Sequence, residues 1–128
     1  MLMPKPDETV IARRQELADA LRDIVPGEGV IDGAEELRAF DCDGLMAYKQ
    51  LPLIVVLPET TEQVAAVLKY CHKNNVKIVP RGAGTGLSGG AMPLADGITL
   101  GLSKFKKILD IDFDNRCVVT QPGVTNLA

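Results

Sequence analysis

Five glycines fall within the nine residues Gly82-Ala83-Gly84-Thr85-Gly86-Leu87-Ser88-Gly89-Gly90, just after Pro80-Arg81 and the strand-like run Val76 to Val79. Glycine at that density keeps side chains out of the way and permits positive φ, so successive backbone N–H groups can converge on an anion. A phosphate is the simplest guest for such a stretch. The competing reading is a flexible turn. Against it stand a single Ser, the absence of Asn and Asp, and strand-like runs on either side.

The type of phosphate loop follows by exclusion. Gly84-Thr85-Gly86-Leu87-Ser88-Gly89 satisfies G-x-G-x-x-G, and Asp110 stands about 20 residues on, where a dinucleotide fold has its ribose acid. That fingerprint must open a helix, yet here Gly90, Pro93 and Gly97 follow and would break one. A Walker A site is absent too, since Gly84-x4-Gly89 runs into Gly90 and not into Lys-Ser or Lys-Thr. What remains is a loop that holds a diphosphate with its own amides and no helix dipole behind them.

Few other side chains offer chemistry. His72 is the only histidine and sits one residue off a helical stripe with no partner cluster, so it reads as an exposed or half-buried helix residue. Asp41-Cys42-Asp43-Gly44 lacks the further acids of a calcium loop and reads as a surface turn; no metal site is expected. Cys42, Cys71 and Cys117 form an odd set without C-x-x-C, which disfavours disulfides and zinc and favours a reducing cytoplasm. Arg81 is the nearest candidate for an anion clamp on a substrate, with a diphosphate or structural role the better reading of its place. Lys104, Lys106 and Lys107 read as a solvated strand end, with a phosphate as the alternative.

Composition narrows the classes. A chain of 128 residues makes one modest domain or a piece of a larger one, and 46% hydrophobic residues suffice for a packed core. Seventeen acids against 14 bases, with two Tyr, three Phe and no Trp, argue against a nucleic-acid surface. The start has no apolar core of signal-peptide length, and no run approaches the roughly 20 apolar residues of a membrane span.

The elements that must position the loop are legible around it. Asp7 to Val25 reads as an amphipathic helix with Val10, Ile11, Leu17, Ala18, Leu21, Ile24 and Val25 on one face, ended by Pro26-Gly27. Arg13 and Arg14 read as its solvated side. A turn through Gly27, Gly29 and Gly33 leads to a short helix, Ala34 to Phe40. Leu53 to Leu57 is a continuous apolar run, the mark of a strand covered on both faces. The capping-box spacing Thr60 to Gln63 then opens a helix with Val64, Val67, Leu68 and Cys71 on its stripe, ending at Asn74-Asn75. With Val76 to Val79 as the next strand, these form a right-handed βαβ unit that delivers the glycine loop at its carboxyl end, where ligands of open α/β sheets collect. Gly97 to Leu102 and Ile108 to Asp112 read as strands, and Cys117 to Gln121 returns antiparallel after the turn Asp114-Asn115-Arg116. Thr125 to Ala128 reads as the start of a helix.

Taken together, Asp41-Cys42-Asp43-Gly44-Leu45 with Ala47-Tyr48, Val55-Val56-Leu57-Pro58 before a helix, the stretch Pro80 to Gly90, and Gln121-Pro122-Gly123-Val124-Thr125-Asn126 resemble the FAD-linked D subunits of glycolate oxidases. These belong to the vanillyl-alcohol oxidase and p-cresol methylhydroxylase (PCMH) type of flavoprotein. The resemblance implies an α+β fold: a βαβ unit with a glycine-rich diphosphate loop plus antiparallel strands, as the first half of a PCMH-type FAD-binding domain over residues 51–128, after an N-terminal helical segment, 1–50. It implies that FAD is bound by Pro80, Arg81, Gly82, Ala83, Gly84, Thr85, Gly86 and Leu87 at the diphosphate. Gly89 and Gly90 would allow close passage, and Pro122, Gly123 and Val124 would lie on the flavin side. Some members tether the flavin through a histidine in or beside this loop; none stands between Arg81 and Gly90, so noncovalent FAD is expected. The implied reaction is oxidation of a 2-hydroxy acid, glycolate or D-lactate, to the 2-oxo acid. The second half-domain and the substrate domain of such enzymes are missing, and no catalytic residue is assigned. The chain alone is expected to be inert, its partners other oxidase subunits, and its place the cytoplasm or the inner membrane face through those partners. Two other readings are an assembly module pairing its apolar edge, Val118 to Ala128, with a separate subunit, and, least supported, a nicotinamide-binding domain.

Overall fold

A computed structural model of the chain describes residues 3–125. The expected helix start at Thr125 to Ala128 falls, beyond Thr125, outside the described residues. The elements are α1 (Glu8–Ala12), α2 (Arg14–Ile24), β1 (Val30–Ile31), α3 (Ala34–Leu37) with a 3-10 turn over Arg38–Phe40, β2 (Ile54–Val56), α4 (Thr61–Lys73), β3 (Lys77–Arg81), β4 (Gly97–Gly101), β5 (Ile108–Asp112) and β6 (Cys117–Thr120). Strands β1 to β4 make one sheet in the order β1-β2-β4-β3, and β5 and β6 make a separate antiparallel hairpin.

The expected βαβ unit is present, with one addition. Strands β2 and β3, joined through α4, are not neighbours: β4 lies between them and runs parallel to both, with Thr99 opposite Val55 on one side and Val79 on the other. Parallel neighbours need a crossover, so the chain from Gly82 to Asp96 must travel from the carboxyl end of β3 back to the start of β4. The glycine loop is the first part of that crossover, and among the described residues this crossover contains no helix.

One core holds the sheet and its helices. Leu17, Ala18, Leu21 and Val25 pack with Val67 and Cys71 of α4 and with Ile54, Val56, Ile98 and Leu100. Leu17, Leu21, Ile54 and Ile98 are wholly buried, each worth about 1.5–3 kcal/mol as apolar burial. Burial of a thiol in this core pushes Cys71 up to about 11, which makes it a packing residue and not a nucleophile.

Helix ends follow from named bonds. Thr60 Oγ1 accepts the Gln63 amide at 3.2 Å, while Gln63 Oε1 reaches back to the Glu59 amide at 2.7 Å, one residue earlier than a strict capping box. At the other end Asn75 takes φ 56°, with its amide on the His72 carbonyl and the Val76 amide on the Cys71 carbonyl. This is a Schellman stop in which Asn stands in for Gly.

Three expectations need correction. The single helix from Asp7 to Val25 is two, broken where the Arg13 amide bonds the Val10 carbonyl at 3.1 Å. The first turn is held separately, its Asp7 amide on Asp96 Oδ2 at 2.8 Å. Arg13 and Arg14 are only partly solvated: Arg13 donates to Asn74 Oδ1 at 3.1 Å and Arg14 to the Asp32 carbonyl, so they also tie α2 to its neighbours. The turn from Gly27 to Gly33 contains β1, which pairs antiparallel with β2 through Val30 and Val56.

Candidate functional site

The loop begins later than its sequence suggests. Pro80 and Arg81 belong to β3, opposite Leu100 and Gly101 of β4, so the free loop starts at Gly82. Proline is tolerated there because the ladder of a parallel pair uses the amides of alternate residues only. Positive φ occurs at Gly84 (72°) and Gly89 (76°), the two positions where the chain turns back on itself.

Among the described residues, no amide from Gly82 to Gly90 donates a hydrogen bond within the chain. Buried amides are almost always paired, so a run of exposed, unspent ones is a place where solvent or a ligand must supply the acceptors. Leu87, 76% exposed, stands at the tip.

The shape of this stretch is imposed from outside, by residues 40–45. The Arg81 guanidinium donates to the Cys42 carbonyl at 2.6 Å, lies 5.6 Å from the Phe40 ring centroid and covers Gly84. It is therefore engaged structurally. A Cβ on Gly44 would lie 2.6 Å from the Thr85 carbonyl oxygen and 2.8 Å from that of Gly86, so backbone packs directly on backbone. Asp43 is buried, its Oδ1 accepting from the Leu45 amide at 2.9 Å and its Oδ2 from the Ala91 amide at 3.2 Å. The segment read as a surface turn is thus the floor of the loop. The thiol of Cys42 is held above its ordinary value by its hydrogen bond to Asp41, by burial and by the Asp41 charge, which disfavours a thiolate here.

Two clefts flank the loop. One, of about 420 Å³, brings Gly82 and Ala83 together with Pro122, Gly123 and Val124, and is completed by Leu102, Ser103, Lys106 and Thr125. The other, of about 280 Å³, joins Gly89 and Gly90 to Pro80, Leu45, Tyr48 and Met92. Of the expected site residues, Gly82, Ala83, Pro122, Gly123 and Val124 line the first cleft and Pro80, Gly89 and Gly90 the second; Arg81, Gly84, Thr85, Gly86 and Leu87 line neither, and Thr85 and Gly86 bear on Gly44. Gly123 is required by close approach: its amide bonds the Phe105 carbonyl at 2.8 Å, and a Cβ would meet that oxygen at 2.5 Å. Gln121 fixes the same corner by exchanging bonds with Lys107 through backbone and side chain, both at 2.9 Å. Of the three lysines, Lys104 pairs with Glu59 at 2.7 Å and Lys106 lines the larger cleft. Sequence reasoning did not single out Phe105 or the buried role of Asp43; a lone Asp before a Gly carries no local sign of a tether to a turn 48 residues away. His72 is exposed on the last turn of α4.

The glycine-rich crossover, its amides unspent, thus hangs between parallel strands without a helix. Residues 52–128 match the FAD binding domain family, and the chain belongs to it. It is 53% identical over 109 residues to glycolate oxidase subunit GlcD of Escherichia coli (strain K12), covering 85% of this chain and 22% of that relative. It is 38% identical over 110 residues to D-lactate dehydrogenase of Anaerostipes hadrus, covering 85% and 23%. The chain thus spans less than a quarter of the length of these relatives. Among solved structures, p-cresol methylhydroxylase with substrate bound superposes with a TM-score of 0.74 at 23% identity, over 98% of this chain and 25% of that one, which shows the fold.

Proposed function

We propose that this chain is the FAD-binding part of a flavin-dependent oxidoreductase that converts a 2-hydroxy acid of the glycolate or D-lactate type to the 2-oxo acid. In this reading residues 51–128 form the first half of the FAD-binding domain and 1–50 its N-terminal helical segment. The observation that carries it is the run of unpaired amides from Gly82 to Gly90, in a chain half identical to a glycolate oxidase subunit. The diphosphate fits there because main-chain donors are available, positive φ is present at Gly84 and Gly89, and no side chain of the loop carries a competing negative charge. Arg81 supports the loop from below through Cys42 and Gly84. Pro122 to Val124, across the larger cleft from Gly82, bound the space on the flavin side. When bound, the flavin supplies hydride acceptance; the protein supplies placement and exclusion of water. With no histidine among residues 82–90, the cofactor is held noncovalently. These 128 residues, matching less than a quarter of the length of those relatives, are expected to be inactive by themselves.

The test is the visible spectrum of the full gene product, including whatever follows residue 128. Flavin absorbance, released into the supernatant on acid precipitation, is the expected result; a folded product with no flavin and no uptake of added FAD overturns the proposal.

A second reading, partnership with other oxidase subunits, has its own observation. Ile108, Leu109, Ile111, Phe113, Val118 and Val119 on the β5–β6 hairpin are all at least half exposed. Such a surface on so small a domain marks an interaction site. Co-purification of another subunit on this hairpin supports that reading, and a monodisperse monomer counts against it. No helix among the described residues is long and apolar enough to cross a membrane; a cytoplasmic place, or one on the inner membrane face through such partners, belongs to the same proposal.

A further inference from the structure

Among the described residues the amides from Gly82 to Gly90 donate no hydrogen bond within the chain, and the Gly89 carbonyl accepts one from Met92 at 3.2 Å, so the geometry the loop presents to a ligand is set by its supports. Besides that local turn, three supports come from residues 40–45: Cys42 through Arg81, Gly44 against the Thr85 and Gly86 oxygens, and Asp43 on the Ala91 amide. Asp43 differs from the other two in cost. It is 3% exposed, and among the described residues no cation pairs with it; both oxygens are spent on backbone amides. Burying a carboxylate without a counter-charge is expensive, and packing alone would be served as well by an apolar residue.

We propose that Asp43 is a positioning residue for the flavin loop. By holding Leu45 and Ala91 to one carboxylate it closes the segment 82–91 into a fixed arc before the cofactor arrives, so that ordering this arc is not charged against binding. This rests on the reading of residues 82–90 as the FAD site.

A built-in comparison exists. Asp96, 2% exposed, also bonds two donors, the Asp7 amide and Lys77 Nζ, but at the opposite end of the same crossover, beside the start of β3. In the full gene product, Asp43→Asn and Asp96→Asn are compared for FAD affinity by flavin fluorescence and for amide hydrogen exchange. Asp43→Asn keeps one acceptor oxygen but turns an N–H donor toward an amide. It is expected to weaken FAD about tenfold or more, while Asp96→Asn, with a similar fall in Tm, leaves affinity within about twofold. Wild-type affinity in Asp43→Asn, or equal losses in both variants, overturns the inference. If the wild-type protein takes up no FAD, the proposed function fails and the exchange data decide alone. Faster exchange spread over Gly82 to Gly90 in Asp43→Asn, and absent in Asp96→Asn, supports the positioning role; a change confined to Leu45 and Ala91 overturns it.

Discussion

Strand β4 and the hairpin β5–β6 are built from similar residues and have opposite fates. In β4 all five residues are buried, and in β5 and β6 all but Asp112 are exposed. Ile98 and Leu100 meet helices α2 and α4 through the shared core, whereas Ile111 faces only Val118 across the hairpin, with Asp110 and Asp112 on the other face. An isolated two-stranded hairpin is marginal in water. This one is held at its base by the bonds of Gln121 to Lys107 and of Gly123 to Phe105. Strand propensity is a local property, but burial depends on what else the chain supplies. The central strands β2 and β4 are buried by the described residues, and the hairpin presents apolar side chains that stay at least half exposed among them.

The largest effect that tests this contrast is a matched pair of truncations. Ile98→Ala, at a wholly buried site, should cost about 2–5 kcal/mol in urea unfolding. Ile111→Ala, at a site half exposed, should cost under about 0.5 kcal/mol. Equal losses would mean that the hairpin is packed in solution, by a second copy or by a partner, and would end the contrast as drawn.

The same contrast explains what the sequence could reveal. The ends of helix α4 are legible because their signals are local, Thr60 and Gln63 at the start and Asn75 at the stop. Its stripe is legible only in part: Val64, Val67 and Cys71 face the core, whereas Leu68, expected there, is 44% exposed and Tyr70 packs on the core instead. The insertion of β4 between β2 and β3 was not readable, since a parallel strand's neighbours depend on a 15-residue crossover, from Gly82 to Asp96, that has no period of its own. For the site, the glycine spacing announced a loop with free amides, and the exclusion of a helix after Gly86 agrees with the structure. Pro80 and Arg81 were drawn into the loop because Pro commonly ends a strand; only pairing with Leu100 and Gly101 shows otherwise. The contacts of Asp43 and Gly44 with residues some 40 positions on are tertiary by nature.

A smaller effect sharpens the comparison between glycines that pack and glycines that stay open. Gly44→Ala places a methyl group against two backbone oxygens, which cannot yield as a side chain would, and should cost about 1–3 kcal/mol. Gly82→Ala meets nothing within 4 Å and should stay within about 0.5 kcal/mol. Chemical denaturation of both variants checks the difference; similar values would mean that residues 40–45 do not support the loop. Thr60→Ala removes the acceptor of the Gln63 amide at a helix the core depends on, and about 1 kcal/mol is expected by the same measurement.

The last effect is a pH dependence confined to acid, and it concerns the far end of the crossover. Burial pushes the Asp96 carboxyl up, but its bonds from Lys77 at 2.6 Å and from the Asp7 amide at 2.8 Å outweigh burial and hold it below its ordinary value. A carboxyl with a depressed folded pKa stabilises fully above its unfolded pKa, and that contribution is lost as the pH falls through the folded value. Asp7, lowered by its hydrogen bonds from Thr9, has the same sign, so an acid slope in the wild type alone is not diagnostic. Substitution separates the two, because Asp96→Asn cannot titrate. The difference in Tm between wild type and Asp96→Asn should therefore be constant above about pH 5 and narrow below about pH 4. A difference that fails to narrow on acidification to about pH 2 would mean that the Lys77 contact is electrostatically idle, and that the first turn of α1 is held by packing of Val10 alone.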